Sequence, residues 1–219
     1  MTTVHHVSDE LLVAYEAGTL SEGWSLAVAT HLALSPQARR ARRLATDVGG
    51  ALLEGIEPEP VTDGAFDRLM ARIARTQQDP VAPPRACARD DHNAVPEPLR
   101  SYIGGDLQQI PWKRLGVGAW HLPIKTRDGQ TSVRLLKIPA GSPVPEHGHR
   151  GMELTVVLAG TLCDGPEVFG RGDIEEADEA VEHQPIAGPG GDCVCLAVTD
   201  APLRFKSLIV RLAQPFLRI

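Results

Sequence analysis

The sequence predicts an α+β protein of two parts, in which a small helical domain precedes a β-rich domain. Before about residue 77, Ala, Leu and Arg dominate and apolar residues recur at helical spacing. From residue 99 onward, short β-type runs alternate with Gly, Pro and Asp turns. Residues 77–98 hold five prolines and few large apolar side chains, which is typical of a linker. We therefore expect domains over residues 1–76 and 99–219.

Length and charge narrow the class of protein. With 219 residues the chain can bury a sizeable core, and its net charge of −6 argues against binding to nucleic acid or to an anionic membrane. No apolar run approaches the length of a membrane span, and the N-terminus lacks a signal-peptide pattern, so we expect a cytoplasmic protein. The four cysteines form neither CxxC zinc spacing nor a disulfide framework, which is typical of a reducing compartment.

Four helices are predicted in the first part. Ser8 is suited to cap the first, because a serine hydroxyl can accept a hydrogen bond from a free N–H of the first turn, and the second starts at Ser21. Ser35 followed by Pro36 favours the start of a third helix, since Pro is preorganised for the first helical position. The fourth is predicted over residues 66–74.

The fourth predicted helix carries an apolar stripe made of Phe66, Leu69, Met70 and Ile73. Two interpretations are open. The stripe packs on the first three helices, as amphipathic stripes usually do, or it faces a partner protein.

The second part is predicted to be mainly β. The Asp128-Gly129 pair favours a hairpin between the first two runs, and the segment 207–213 fits either a helix or a closing strand. The predicted strands cover residues 117–122, 132–138, 154–158 and 193–198.

One stretch, GSPVPEHGHRGMELTVVLAG, carries the strongest chemical signal. His147 and His149 are two apart on a predicted strand and therefore point the same way, and Glu153 follows a short bend. His183, which precedes another strand, is a candidate for a fourth ligand. Imidazoles and a carboxylate suit zinc, and also iron, manganese or nickel.

This spacing resembles the first cupin motif at every position. The matching residues are Gly141, His147, His149, Glu153 and Gly160. The second cupin motif fits more loosely, because Gly172 and His183 match its Gly and His while its PxG and Asn are missing. The resemblance implies a small β-barrel with the metal inside. Cupins include dioxygenases, isomerases, binding proteins and regulators, so the fold alone does not set the function.

A second resemblance spans nearly the whole chain. The HHVSD opening, the AGTL turn, the VATHLAL helix, the HGHRGMELTVVLAG stretch and the EEADE…EHQP stretch resemble the ChrR family of anti-sigma factors. In that family a helical domain holds a group IV (extracytoplasmic-function) sigma factor away from RNA polymerase, and the cupin-like domain is required for the response to singlet oxygen and related oxidative stress. The resemblance implies an α+β multidomain regulator, not an enzyme, with a helical anti-sigma domain, a zinc-binding cupin domain and a sigma factor as its partner.

The N-terminal domain departs from the family pattern at one place. That domain normally binds zinc through two His and a CxxC, and His6 and His31 match the two His positions. The Cys positions fall on Ser35 and Ala38, and neither is a good zinc ligand. We therefore predict that the N-terminal zinc is absent, or is weakly bound by His6 and His31 with His5, water or a foreign carboxylate.

Cys193 and Cys195 resemble a Cys-x-Cys pair of the same family. Either they are redox-active thiols near the metal, or they are small buried apolar residues.

Rival functions are also open. A cupin enzyme, either a dioxygenase or an isomerase, could carry an accessory helical domain, and a cupin could bind a small ligand and signal through the helices. Since cupins often pair, a homodimer through the cupin domain is a further possibility.

Overall fold

The computed structural model describes residues 3–75, 95–116 and 118–206. Most of the predicted linker, Cys87 and the segment 207–213 lie outside the described residues. The helices are α1 (Asp9–Glu16), α2 (Glu22–Leu34), α3 (Pro36–Glu54), α4 (Ala65–Arg75) and α5 (Glu97–Ile103). The strands are β1 (Lys113–Leu115), β2 (Ala119–Ile124), β3 (Ser132–Ile138), β4 (His147–Gly148), β5 (Glu153–Ala159), β6 (Leu162–Asp164), β7 (Glu167–Phe169), β8 (Ile174–Ala177), β9 (Glu182–His183), β10 (Ile186–Ala187), β11 (Cys193–Thr199) and β12 (Arg204–Phe205).

The α+β fold is confirmed, with N-terminal helices followed by a cupin-like β domain. The four predicted helices are present to within one or two residues. The hydroxyl of Ser35 accepts a hydrogen bond from the backbone N–H of Ala38 at 3.1 Å, so Ser35 caps α3 as expected. Ser8 and Ser21 occupy the N-cap positions of α1 and α2, but their hydroxyls make no capping hydrogen bond. The structure adds α5, which carries the fully buried Leu99. Among the residues that the structure describes, no helix is long and apolar enough to cross a membrane.

Within the described part of the β domain, the strands form three antiparallel sheets. The largest has the strand order β1-β2-β3-β11-β5-β8, and two three-stranded sheets have the orders β10-β6-β7 and β12-β4-β9. Gly160, the last residue of the first cupin motif, ends β5 with φ +69°, and a Cβ at this position would collide with the backbone carbonyl of Asp192. Glycine is therefore required where the loops after β5 and before β11 approach each other.

The large sheet presents one apolar face to the helices. Leu154, Val156 and Leu158 alternate along β5 and belong to the same buried cluster as Ala27 and Val28 of α2. The opposite face of β5 carries Glu153, Thr155 and Val157, which point into the β domain. The helical part and the cupin-like part therefore share one core, and the sheet has a chemically distinct inner face.

Candidate metal centre

Three imidazoles converge inside the β domain. His147 on β4 and His183 on β9 are direct partners across an antiparallel pair, and His149 follows β4. The Nε2 atom of His183 lies 3.2 Å from Nε2 of His147 and 3.2 Å from Nε2 of His149. Ligands about 2.0–2.1 Å from a tetrahedral zinc ion lie roughly 3.3 Å apart, so this spacing fits a metal bound by the three Nε2 atoms. All three side chains are buried.

The remaining ring nitrogens of two of these histidines are held by oxygen acceptors. Nδ1 of His147 lies 2.8 Å from the carbonyl oxygen of Pro145, and Nδ1 of His183 lies 2.8 Å from Oδ2 of Asp164. Oε1 of Glu175 lies 3.5 Å from the same Nδ1 of His183. Such acceptors favour the tautomer with the proton on Nδ1, which leaves the Nε2 lone pair directed at the metal.

Glu153, the predicted carboxylate ligand, lies beside this cluster and not within it. Its Oε2 atom is 3.8 Å from Nδ1 of His149, and its Oε1 atom accepts a hydrogen bond from the hydroxyl of Thr155 at 3.0 Å. The structure therefore brings three of the four predicted ligands together. The role of Glu153 as fourth ligand stays a prediction.

The protonation of the three histidines differs because their neighbours differ. Burial lowers the pKa of His147 and of His149, although the nearby charge of Glu153 opposes the change. Burial also disfavours the charged form of His183, but hydrogen bonds and charges from Glu175 and Asp164 outweigh it and raise the pKa of His183 to about 9. Metal binding at Nε2 of His183 would therefore release a proton at neutral pH.

The two candidate redox cysteines lie on β11 and are free thiols. Cys193 is 0% exposed and Cys195 is 1% exposed. The hydrogen bond with Cys193, together with burial, raises the pKa of Cys195. A protonated, buried thiol is a poor nucleophile, so this geometry favours the structural alternative, and the redox role stays a prediction.

The second predicted metal position does not present a ligand set. His31 is 0% exposed, with Nδ1 at 2.7 Å from the carbonyl oxygen of Gly172 and Nε2 at 3.4 Å from the backbone N–H of Val7. The hydroxyl of Ser35 lies 2.8 Å from that of Thr3 and 3.4 Å from Nδ1 of His6. Both ring nitrogens of His31 thus have backbone partners. Ser35 is engaged in hydrogen bonds with Thr3 and His6. Ser35 and His31 do not fit a zinc site here, and the absence of N-terminal zinc stays a prediction.

The apolar stripe of α4 is exposed. Phe66 is 71% exposed, and no residue of α4 is buried. The interpretation that this stripe packs on the first three helices therefore does not describe the structure. A second exposed stripe, absent from the sequence-based predictions, follows α3 at four-residue spacing through Leu44, Val48 and Leu52. The four-residue spacing of these apolar residues in the sequence was enough to predict a stripe on one side of α3.

Comparison with known proteins places these features in a family. The chain is 48% identical to the anti-sigma-E factor ChrR of Cereibacter sphaeroides, over 100% of both chains. The chain belongs to the ChrR family of anti-sigma factors. The model of the ChrR cupin-like domain matches residues 101–202. The crystal structure of Rhodobacter sphaeroides SigE in complex with the anti-sigma ChrR aligns with 91% of this chain and 100% of that one, at 44% identity and a TM-score of 0.77.

Sequence reasoning also missed the two carboxylates that face the ring of His183. Asp164 ends β6, four residues after Gly160, and Glu175 lies on β8, eight residues before His183, but neither occupies a position of the cupin motifs. No spacing rule connects them to the histidines, and only the strand pairing brings them together. The family resemblance pointed to the EEADE stretch as a whole, without singling out Glu175.

We expect about one metal ion per chain in protein purified without added metal, bound at the three-histidine cluster. The His149→Ala variant removes one ligand atom and should lose this metal, whereas the matched His31→Gln variant should retain it. Elemental analysis of the three proteins measures the difference. Two ions in the parent and one in His31→Gln would show that the N-terminal position binds metal.

Burial lowers the pKa of His31 to about 4, below the value of about 6.5 in an unfolded chain. Well above pH 6.5 the imidazole is neutral in both the folded and the unfolded chain, so it does not change the free energy of unfolding with pH. As the pH falls from 6.5 toward 4, the unfolded chain binds a proton that the folded chain excludes, so stability is lost. Between pH 7 and pH 5 this should lower the free energy of unfolding by roughly 2 kcal/mol more in the parent than in His31→Gln. Urea denaturation with a chelator present measures both slopes, and equal slopes would contradict the assignment.

Proposed function

We propose that this chain is an anti-sigma factor that sequesters a group IV sigma factor and releases it in response to singlet oxygen or related oxidative stress. The single observation that supports this most is the 48% identity over the full length of both chains to an anti-sigma-E factor, ChrR. The similar solved structure is a complex with SigE, which indicates the class of partner. Because sigma factors act on RNA polymerase, the proposed site of action is the cytoplasm.

The exposed apolar faces of α3 and α4 are the proposed sigma-binding surface. A soluble chain rarely leaves two amphipathic helix faces uncovered unless a partner covers them. The anchors on α4 are Phe66 at 71%, Leu69 at 52%, Met70 at 47% and Ile73 at 53% exposure. Their spacing places them on one side of the helix, which suits docking against a groove in the partner.

The cupin domain supplies the proposed sensor. His147, His149 and His183 would hold the metal, with Glu153 available at its edge. We propose zinc, which when bound supplies a redox-inert Lewis-acidic centre. This chain's own residues then set the response: the buried imidazoles are oxidisable side chains, and Asp164 fixes the orientation of His183.

Two anchors on α4 provide a test of the sigma-binding surface. Replacing Phe66 and Ile73 together by Ala removes apolar contact area without weakening the helix, since Ala has the highest helix propensity. We expect the affinity for SigE, the partner in the relative's structure, to fall at least about tenfold. Isothermal titration measures it, and Val61→Ala, exposed at 82% in the preceding loop, is the control. Tight SigE binding by the double variant would place the surface elsewhere, and no SigE binding by the parent would contradict the proposed function.

The sensor part has its own test. A photosensitiser and light generate singlet oxygen in a solution of the complex, and released SigE is measured by its transcription activity with RNA polymerase. The parent should release SigE in the light and retain it in the dark. His149→Ala should lose the light response, whereas His121→Gln, which removes a buried imidazole outside the cluster, should keep it. An unchanged response in His149→Ala would rule out sensing through this site.

A further inference from the structure

Strand β8 has one side toward the metal cluster and the other toward the start of the chain. It is an edge strand of the large sheet and pairs with β5. Because side chains alternate along a strand, Glu175 and Glu176 point to opposite faces. Glu175 lies inside, next to His183, and Glu176 accepts a hydrogen bond from the backbone N–H of Ser8 at 2.6 Å.

The N-terminal segment, residues 4–8, lies along the unpaired edge of this strand and is held there by its backbone. Oδ1 of Asp173 accepts hydrogen bonds from the N–H groups of Val4 at 2.7 Å and His5 at 3.2 Å. The N–H of Ile174 donates to the carbonyl oxygen of His5 at 3.4 Å. Asp173 is only 4% exposed, so these hydrogen bonds are shielded from water. We call Asp173 and Glu176 the anchors of the N-terminal segment.

A tight approach next to this anchor involves Thr3, the residue that precedes this segment. Gly172 has φ +91°, and a Cβ there would lie 2.8 Å from the side chain of Thr3 and 3.0 Å from Cβ of Leu34. The carbonyl oxygen of Gly172 is also the partner of His31. The turn that leads into β8 is therefore in contact with Thr3, directly before the N-terminal segment, and with α2.

The inner side of β8 reaches the metal cluster through one side chain. Glu175 is 8% exposed, and its carboxylate shares Nδ1 of His183 with Asp164. Carboxylates in this place orient a metal-ligating ring and raise its basicity. A change in the position of His183 therefore acts directly on a side chain of β8.

We propose that β8 couples the metal cluster to the sigma-binding helices, with Glu175 and Asp164 as positioning residues for His183 and with Asp173 and Glu176 as anchors of the N-terminal segment. The regulatory meaning of this coupling rests on the proposed function. When His183 is fixed by a metal, Glu175 holds β8 in the register that the anchors require. When the metal is lost or His183 is oxidised, the contacts of the N-terminal segment with Asp173 and Glu176 weaken.

The route continues from the N-terminal segment to the sigma-binding surface. Residues 4–8 lead directly into α1, and Glu16 at the end of α1 accepts hydrogen bonds from Arg42 and Thr46 of α3, each at 2.6 Å. Helix α3 carries the exposed stripe that includes Val48. Displacement of the N-terminal segment therefore moves or loosens a helix of the proposed surface.

Amide hydrogen exchange of the full chain, followed by NMR with and without added zinc, tests the coupling. In the parent, zinc should slow exchange of the Val4, His5 and Ser8 amides at least about threefold, since these N–H groups donate to β8 or its neighbours. Glu175→Gln should weaken zinc binding roughly 10- to 100-fold. At saturating zinc it should also lose most of the slowing. Glu182→Gln, an exposed change next to His183, is the matched control and should behave like the parent.

Each outcome of this experiment either supports or overturns the proposed coupling. Zinc binding without a change at the three amides, or full slowing in Glu175→Gln, would overturn the proposal. If Glu175→Gln lacks the near-ultraviolet circular dichroism of the parent, Asp164→Asn replaces it: this change removes the other carboxylate that positions His183 and should also reduce the slowing at saturating zinc, whereas full slowing would overturn the proposal. No sigma factor is present in these measurements. A failure to bind SigE with the coupling intact would therefore contradict the proposed function alone, and SigE binding without coupling would contradict this inference alone.

Discussion

Burial of the apolar face of the six-stranded sheet against α2 is the interaction on which the other features depend. The side chains of β3, β5 and β11 that face α2 are almost completely inaccessible to water, as Leu135, Leu154 and Leu196 show at 0% exposure. A sheet with one apolar face must be covered, and here the helical part covers it. The same arrangement leaves the opposite face free to carry polar chemistry. The helices and the metal cluster are thus two sides of one sheet.

A group of hydrogen-bonded polar side chains, made of Thr3, His31 and Ser35, lies beside this shared core. Ser35 and Ala38 stand where the resemblance to the ChrR family implies cysteines. Hydrogen bonds in this region join the hydroxyls of Ser35 and Thr3, the Ala38 N–H to the Ser35 hydroxyl, and the ring of His31 to the Gly172 carbonyl oxygen. A buried neutral imidazole with two backbone partners can hold neighbouring segments together without a metal. In this chain the helical part is also tied to β8 through Asp173, so its position does not depend on a single local site.

Much of this architecture could be predicted from local patterns. Apolar periodicity identified four helices, the Ser35-Pro36 pair identified the start of α3, and the spacing of His147 and His149 identified the site. What could not be predicted depends on contacts between distant parts of the chain. Strands of two or three residues, such as β4 and β9, have too little pattern to recognise, yet their pairing places His183 against His147. Glu175 gained its role from the same long-range pairing. The exposure of Phe66 likewise depended on packing that periodicity alone does not determine.

The replacement at position 35 also limits which chemical signals can reach the helices directly. Residues 1–76 contain no cysteine, so thiol-specific oxidants, alkylating reagents and soft metal ions lack their usual target there. The hydroxyl of Ser35 caps a helix and cannot form a disulfide. Under the proposed function, a chain built this way would separate reception from output: residues 1–76 carry no thiol for such reagents to modify, and the cupin-like domain would distinguish an oxidant from other stresses.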